Sequence, residues 1–292
     1  MELRVLRYFL AVAREESISR AAAYLHVTQP TLSRQLMELE AELGKPLLIR
    51  GSRRVTLTEE GILFRRRASE IVELADRARS ELQDGAVTGD LHIGGGESDA
   101  MRLLARTARA LHETNPGIRY HLHSGNAEEV GERLERGLLD FGVMVEPGNL
   151  GKYDHIRLPY ADTWGVLMRK DCPLAQKERI RPEDLWDLPL VLSRQAMGQD
   201  SVSTWLRRDF ASLHIVGTYN LLFNASLLVD EGLGYALCLD KLANTSPEST
   251  LCFRPLEPKL EMGLYVVWKK YQIHSRAAET FLRLLRSQLE QH

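Results

Sequence analysis

The chain has 292 residues, 44% of them hydrophobic and 27% charged, which is the composition of a globular protein with more than one compact unit. A formal net charge of −2 argues against a general coat for nucleic acid, and three unclustered cysteines argue against a disulfide framework or a zinc site made of thiolates. No apolar run approaches the ~20 residues of a membrane helix and no basic-then-apolar signal begins the chain, so we expect a cytoplasmic protein without a membrane partner.

The beginning of the chain predicts two helices joined by a tight turn. The first helix is expected over about 2–14, because apolar residues recur there on one helical face. Ser17 or Ser19 is the expected cap of the second helix, whose small alanines let neighbouring helices approach closely. The predicted apolar face of the first helix consists of Leu3, Leu6, Leu10 and Ala13.

A third helix is expected to begin after Thr28, a residue type that caps helices. Pro30 falls in the first turn, where a missing N–H costs nothing, and Gly44 is expected to end the helix. The predicted buried stripe, at spacings of four, three and four, consists of Leu32, Leu36, Leu39 and Leu43.

The opposite face of this third helix differs from an ordinary solvated face, which is rich in lysine and glutamate. It carries small hydrogen-bonding side chains near its N-terminal end and one central arginine. The residues of this face are Pro30, Thr31, Ser33, Arg34 and Met37. Such a face suits a helix that lies in the major groove of DNA, where Gln29 and Arg34 reach base edges. Thr31 and Ser33 are then expected nearer the phosphates.

Residues 47–57 predict two short strands around a glycine. Arg50, Arg53 and Arg54 lie at or near the predicted tip, where a local basic patch can contact phosphates or the minor groove. Helices followed by a basic hairpin predict a winged helix-turn-helix domain over residues 1–57.

A long helix is expected over residues 58–84, opened by Thr58 and two glutamates that complement the helix dipole. Small and apolar side chains recur along it at spacings of four and three, which indicates packing between the linker helices of two subunits. The alternative is that the same side chains form an intramolecular core face. These side chains are Phe64, Ala68, Ile71, Ala75, Ala78 and Leu82.

Residues 85–89 are a predicted hinge of small residues, after which strands and helices alternate to the end of the chain. This alternation predicts parallel sheets covered on both faces. Two sets of strands predict two α/β lobes with a ligand cleft between them, lobe I over about 90–160 and 265–292 and lobe II over about 161–264. The strands are predicted at 91–94, 118–123, 141–145, 164–168, 190–193, 215–219, 235–239 and 264–269, and a last helix at 275–289.

Two long segments carry a family resemblance, SISRAAAYLHVTQPTLSRQLMELEAELG and the following PLLIRGSRRVTLTEEG. Weaker matches follow in LHIGG, NPGIRYHLHSGN, GLLDFGVMV, DCPLA and EGLGYALCLDKL. Together these segments resemble the LysR-type transcriptional regulators over essentially the whole chain, with Leu48 where that family usually has phenylalanine.

The resemblance implies an α/β protein with an α-rich winged helix-turn-helix domain and a two-lobed effector domain like that of periplasmic binding proteins. Such regulators are usually tetramers made of dimers, bind imperfect palindromes in promoter DNA and respond to a small effector in the interlobe cleft. RNA polymerase is a further partner of such proteins. With the helix face and the hairpin described above, the candidate DNA contacts are Thr28, Gln29, Pro30, Thr31, Ser33, Arg34, Arg50, Arg53 and Arg54.

The resemblance also places effector contacts after the first strand of the effector domain and in three later segments. Two acids, Glu97 and Asp99, stand where a helix N-terminus favours an anion, which argues against a simple carboxylate or sulfate effector. These acids would pair with an amine or cation, or else are solvated or cap the helix. The candidate effector contacts are Glu97, Ser98, Asp99, Ser124, Asn126, Met197, Gly198, Phe223 and Asn224.

Two other classes of protein explain the sequence less well. Three glycines at 94–96 after a strand suggest a dinucleotide site, but Asp99 stands where the third glycine of that motif belongs. The usual hydrolase, zinc-protease and P-loop motifs are absent from the sequence, so we expect neither catalysis nor a cofactor. A periplasmic solute-binding protein would explain two lobes, but not the N-terminal domain.

A metal-responsive or thiol-responsive regulator of the same architecture is the remaining alternative. His92, His121 and His123 share the phase of neighbouring strands, but no thiolate or carboxylate stands at ligand spacing, so we expect no metal site. Residues 194–198 are similar to the surroundings of the reactive thiols in peroxide-responsive members of the family, but no cysteine flanks them here. Cys238 lies in an apolar strand and fits a small buried hydrophobic residue.

Overall fold

The computed structural model describes residues 1–51, 54–81, 87–145, 150–198 and 200–290. The chain divides into two compact units, Met1–Asp84 and Gly85–His292. Within the described ranges, no helix is long and apolar enough to cross a lipid bilayer.

The first unit consists of helices and one short hairpin. Ser17 caps the second helix by accepting a hydrogen bond from the N–H of Arg20 at 3.3 Å. Gly44 ends the third helix in the left-handed conformation, with φ 67°, which a residue without Cβ adopts at no steric cost. The elements are α1 (Leu3–Glu15), α2 (Ile18–Tyr24), α3 (Gln29–Leu43), β1 (Leu48–Arg50), β2 (Val55–Leu57) and α4 (Glu59–Glu81).

The buried faces of two helices differ from the predicted ones. In α1 the core takes Val5, Leu6, Phe9 and Val12, whereas only Leu6 of the predicted face is buried. Apolar residues occupy much of the circumference of α1, so periodicity alone could not select the face, and packing selected the one that includes the phenylalanine. In α3 the predicted stripe is buried except for Leu43, which is 38% exposed in the last turn.

Helix α4 divides the predicted seam between two environments. Phe64 packs edge-to-face on Phe9 of α1, with ring centroids 5.2 Å apart, and Ala68 is fully buried in the same core. The first part of the seam is therefore an intramolecular core face. Ile71 is exposed, and Leu82 lies outside the described residues.

The second unit alternates strands and helices, with antiparallel strands added. Seven of the eight predicted strands overlap closely with observed ones, while the eighth, at 164–168, is only the second half of a 17-residue strand. The elements are β3 (Gly89–Gly95), α5 (Met101–Thr114), β4 (Ile118–Ser124), α6 (Ala127–Glu135), β5 (Phe141–Val145), β6 (Tyr153–Arg169), β7 (Leu190–Ser193), α7 (Arg194–Met197), α8 (Asp200–Leu206), β8 (Ile215–Tyr219), α9 (Leu222–Asp230), β9 (Tyr235–Leu239), β10 (Leu251–Pro255), β11 (Glu261–Lys269) and α10 (Arg276–Glu290).

The sheet is mixed, which corrects the prediction of parallel sheets. Its strand order is β4-β3-β5-β11-β6-β9-β7-β8, with β10 also paired to β6. The pairs β3–β4, β3–β5, β7–β8 and β7–β9 are parallel, whereas β6 runs antiparallel to β9, β10 and β11. The first half of β6 pairs with β11 and its second half with β9, so this single strand continues from one half of the unit into the other.

The two largest hydrophobic cores of the second unit divide it into lobes. The first lies between α5, α10 and the strands β3 and β5, and the second lies among β6, β7, β9 and α8. Along β6 the division falls between Leu158 and Trp164, and along β11 it falls between Met262 and Leu264. We call the parts around these cores lobe I and lobe II.

Candidate functional site

The predicted DNA-facing surface of α3 is exposed. Gln29, Pro30, Thr31 and Arg34 are exposed and Ser33 is half-buried, while the leucines of the same helix are in the core. The sequence therefore folds with its small, hydrogen-bonding face turned outward and its leucine stripe turned inward. Arg34 forms a 3.5 Å ion pair with Glu38, but its side chain is 70% exposed. An exposed i,i+4 pair of this kind is weak and leaves the guanidinium available to another acceptor.

The N-terminus of α3 has no side-chain cap in the described structure. The hydroxyl of Thr28 lies 2.8 Å from that of Thr31 and does not accept a backbone N–H of the first turn. The first N–H groups of a helix have no partner within the helix, and the helix dipole places partial positive charge there. An uncapped, exposed helix N-terminus of this kind can bind a phosphate.

One carboxylate fixes the β1–β2 hairpin to α3. Glu40 of α3 accepts hydrogen bonds from the backbone N–H groups of Leu47 and Leu48 at 2.8 and 3.0 Å. It also accepts one from the Arg50 guanidinium at 2.7 Å, and its side chain is only 11% exposed. Arg50 thus holds the hairpin against α3, and sequence reasoning had no signal for this role of Glu40.

Of the other two arginines predicted in the hairpin, Arg54 lies within the described residues. Arg54 is 69% exposed and lies 3.8 Å from Glu16, an ion pair that is weak at this exposure. Arg53 lies outside the described residues. Of the predicted hairpin contacts that are described, Arg54 is therefore freer than Arg50 to meet a phosphate.

A cleft of about 660 Å³, including the solvent at its mouth, lies between the two lobes. Lobe I contributes the loop after β3, the end of β5 and the start of α6, and lobe II contributes β6, β7, β8 and the start of α9. The lining consists of Gly96, Glu97, Gly125, Ala127, Val143, Met144, Val145, Trp164, Ser193, Gln195, Ala196, Tyr219, Asn220, Leu222, Leu239 and Leu242. A neighbouring cavity shares Gly96, Glu97 and Leu242 with the cleft and also includes Ser98, Asp99 and Ser124.

The acids of the β3–α5 loop are engaged within the chain. The carboxylate of Glu97 accepts a hydrogen bond from the backbone N–H of Leu222, the first residue of α9. Asp99 forms a 3.2 Å ion pair with Arg102. Neither acid caps α5, the helix that follows them, since Glu97 caps α9 and Asp99 pairs with an arginine of α5. Both carboxylates are engaged within the chain, which argues against a site for a cationic ligand.

The structure does not bring every predicted effector residue to the cleft. Glu97 lines both cavities, and Ser98, Asp99 and Ser124 line the neighbouring one. The remaining five predicted residues do not line either cavity. Asn126 caps α6 by accepting the Glu129 N–H at 2.8 Å, Met197 packs on the core of lobe II, Gly198 ends α7, and Phe223 and Asn224 are exposed on α9.

Several lining residues were not predicted from the sequence. They lie on or after strands of lobe II, and the sequence does not show which ends of these strands face the cleft. Trp164 is 5% exposed, and Gln195 and Asn220 follow β7 and β8. Tyr219 donates its hydroxyl proton to the carbonyl oxygen of Leu237 at 2.8 Å, and burial raises the pKa of its phenol well above the usual value. Tyr219 is therefore a neutral wall of the cleft.

The side chain of Ser98 makes a hydrogen bond within its own loop. Its hydroxyl oxygen accepts the N–H of Ala100 at 3.1 Å. The same side chain lies near the carboxyl group of Asp162 on β6, where it stabilises the ionised form of that group. Asp162 is only 2% exposed, and burial raises the pKa of this carboxyl. Ser98 thus places the β3–α5 loop beside the strand that passes between the lobes.

The histidines and the cysteine considered as sensors are paired or buried in the described structure. His92 and His121 stack with ring centroids 4.6 Å apart, and His121 Nε2 lies 2.8 Å from Asp90. Within the described ranges, no three potential ligand side chains are arranged to hold a metal ion. Cys238 is 1% exposed, and burial raises the pKa of its thiol, so the reactive thiolate is disfavoured.

Comparison with known proteins defines the class. Residues 3–62 match the bacterial regulatory helix-turn-helix protein, lysR family, and residues 84–290 match the LysR substrate binding domain. The chain therefore belongs to the LysR family of DNA-binding transcriptional regulators.

Individual relatives agree over nearly the full length. The chain is 30% identical to the Hca operon transcriptional activator HcaR of Escherichia coli K12, over 99% of this chain and 98% of that protein. It is 26% identical to the regulator IlvY of Escherichia coli K12, over 98% of this chain and 99% of IlvY. Its fold is similar to that of full-length CbnR in complex with its target DNA, with a TM-score of 0.75, 22% identity and coverage of 98% and 99% of the two chains.

Proposed function

We propose that this LysR-family regulator binds promoter DNA through the exposed face of α3 and the β1–β2 hairpin, and that a small molecule in the interlobe cleft changes this binding. The observation that supports the DNA-binding part most directly is the outward face of α3, with Gln29 and Arg34 exposed beside an uncapped helix N-terminus. Arg34 is assigned to base edges, and Thr31 and Ser33 to phosphates.

The regulator acts as a dimer or tetramer assembled through α4. Beside the face of α4 that packs on α1, a second stripe of Leu63, Ile71, Leu74 and Ala78 is exposed. Leu63 is 64% exposed and Leu74 40% exposed, which is unusual for large apolar side chains on one helix face. Pairing two such stripes would bury them and would place two α3 helices on the two halves of a palindrome.

The protein works in the cytoplasm as a regulator without catalytic activity, with promoter DNA, a small effector and RNA polymerase as partners. Genome-wide mapping of its binding sites, followed by binding of the purified full-length chain to the recovered sites, tests the DNA-binding part. A set of sites that share an imperfect palindrome is expected. Binding without sequence preference would contradict the proposal.

A further inference from the structure

The interlobe cleft already contains a carboxylate supplied by the chain. Glu97 is the only charged residue among the described residues that line the cleft. Its side chain comes from lobe I and accepts the N–H of Leu222 at the start of α9 in lobe II. The residue before α9, Leu221, provides no side-chain cap of its own. Glu97 therefore occupies the place at which a helix N-terminus would otherwise attract an anionic ligand.

A tryptophan that lines the cleft, Trp164, carries a buried donor that needs an acceptor. The indole nitrogen of Trp164 is buried and has no hydrogen-bond partner in the described part of the chain. By contrast, Trp186 and Trp205 donate their indole N–H groups to the carbonyl oxygens of Leu206 and Pro258, at 3.0 and 2.7 Å. A buried N–H without an acceptor is unfavourable, so a ligand oxygen at Trp164 would be favoured.

We propose that the cleft selects an uncharged ligand with an apolar or aromatic body and an amide or carbonyl oxygen that accepts a hydrogen bond from Trp164. Glu97 excludes carboxylates, because a ligand anion would have to replace it at α9 or lie beside it as a like charge. Val143, Val145 and Leu239 supply apolar walls for the body of such a ligand. This inference rests on the proposed role of the cleft as the effector site.

Three probes of similar size separate the contributions. Benzamide carries a neutral amide oxygen, benzoate carries a carboxylate on the same ring, and toluene has the ring without an acceptor. Their affinities for the full-length chain are measured by calorimetry or by ligand-observed NMR. Wild type is expected to bind benzamide at least about fivefold more tightly than toluene, the ratio that one hydrogen bond of ~1 kcal/mol provides. It should also bind benzamide more tightly than benzoate, whose carboxylate is repelled by the like charge of Glu97.

Two variants are expected to change these affinities in different ways. Trp164→Phe keeps an aromatic wall but removes the donor, so benzamide should lose about fivefold to tenfold in affinity while toluene is unchanged. Glu97→Gln removes the charge at similar size, so benzoate should gain affinity while benzamide changes little. Glu113→Gln, at an exposed position on α5, is the matched control and should leave all three affinities unchanged.

A direct signal covers the case in which Trp164→Phe does not fold. In wild type, the indole ¹⁵N–¹H resonance of Trp164 should shift on addition of benzamide and not on addition of benzoate. Equal or tighter binding of benzoate by wild type, an unshifted indole resonance, or no binding of any probe would overturn the proposal. DNA binding by the same preparations without a probe is measured in parallel. Intact DNA binding then confines such a failure to the ligand class, whereas lost DNA binding would contradict the proposed function itself.

Discussion

At the scale of single residues, one helix of the first unit carries both an exposed side chain that is free to bind and a buried side chain that holds the hairpin in place. Arg34 is 70% exposed and weakly paired, whereas Glu40 is 11% exposed and accepts three hydrogen bonds. Both lie on α3, six residues apart, so the same helix offers the proposed base contact and anchors the hairpin. The two residues should therefore respond differently to substitution.

Replacing Arg34 by alanine should weaken binding to a specific site by about 1–3 kcal/mol, because a guanidinium that contacts a base edge contributes on that order to discrimination. Binding to random duplex DNA should change much less. Fluorescence anisotropy with both duplexes at one salt concentration measures the two losses. Equal losses on both duplexes would reassign Arg34 to a phosphate contact.

Replacing Glu40 by glutamine should lower the free energy of unfolding of the first unit by about 1–3 kcal/mol, since hydrogen bonds to a charged acceptor are stronger than those to a neutral one. Urea unfolding followed by circular dichroism provides the measurement. Glu42→Gln is the control, because Glu42 lies on the same helix but is 54% exposed. Similar effects of the two variants would show that the anchor contributes little.

At the scale of elements, α4 has two apolar faces in different environments. One face, with Phe64 and Ala68, completes the core of the first unit. The other face, with Leu63, Ile71 and Leu74, is apolar and exposed. The heptad-like spacing predicted one seam, but a single periodicity cannot distinguish a face that packs within the chain from one available to a second copy.

Replacing Ile71 by glutamate should weaken self-association, because the charge would be buried without a partner between two α4 helices. Size-exclusion chromatography with light scattering should show a shift to smaller species at low micromolar concentration. Ser69→Glu adds the same charge at an exposed position away from this stripe and should leave the oligomer unchanged. An unchanged oligomer in Ile71→Glu would place the subunit contact elsewhere.

At the scale of the whole molecule, the strand β6 links the two lobes of the second unit and places Asp162 where it passes between them. Burial raises the pKa of this carboxyl, so the folded state holds the proton more firmly than the unfolded chain does. As the pH rises from below the ordinary aspartate pKa through the raised one, ionisation favours the unfolded chain. The contribution of Asp162 to stability therefore falls over this range.

The asparagine of an Asp162→Asn variant cannot ionise, so the variant should not lose stability in this way as the pH rises. The melting temperature of the variant relative to wild type should therefore increase from about pH 4 to pH 7, since the ordinary aspartate pKa is ~3.9. Differential scanning calorimetry across this range measures the difference. Asp154→Asn, at an exposed position on the same strand, serves as the control. A difference that is constant with pH would contradict the assignment of a raised pKa to Asp162.

The sequence by itself determined the class of this protein and most of its elements. The leucine stripe of α3, its stop residue Gly44, and strands such as β5, β7, β8 and β9 follow from local patterns, because periodicity and turn chemistry act over a few residues. The hydroxyl of Thr28, expected to cap α3, instead pairs with that of Thr31. The LysR resemblance rests on such local segments, and the family comparison confirms it.

Only the tertiary structure decided which groups meet across long separations. It pairs β6 antiparallel with β11, brings Glu97 to the N-terminus of α9, and turns Ser98 toward Asp162. It also places Trp164 in the lining of the cleft and leaves Phe223, a predicted cleft residue, exposed elsewhere on α9. These outcomes depend on the crossing of strands and the relative orientation of two lobes, which are set by the summed packing of distant residues and leave no trace in the spacing of neighbours.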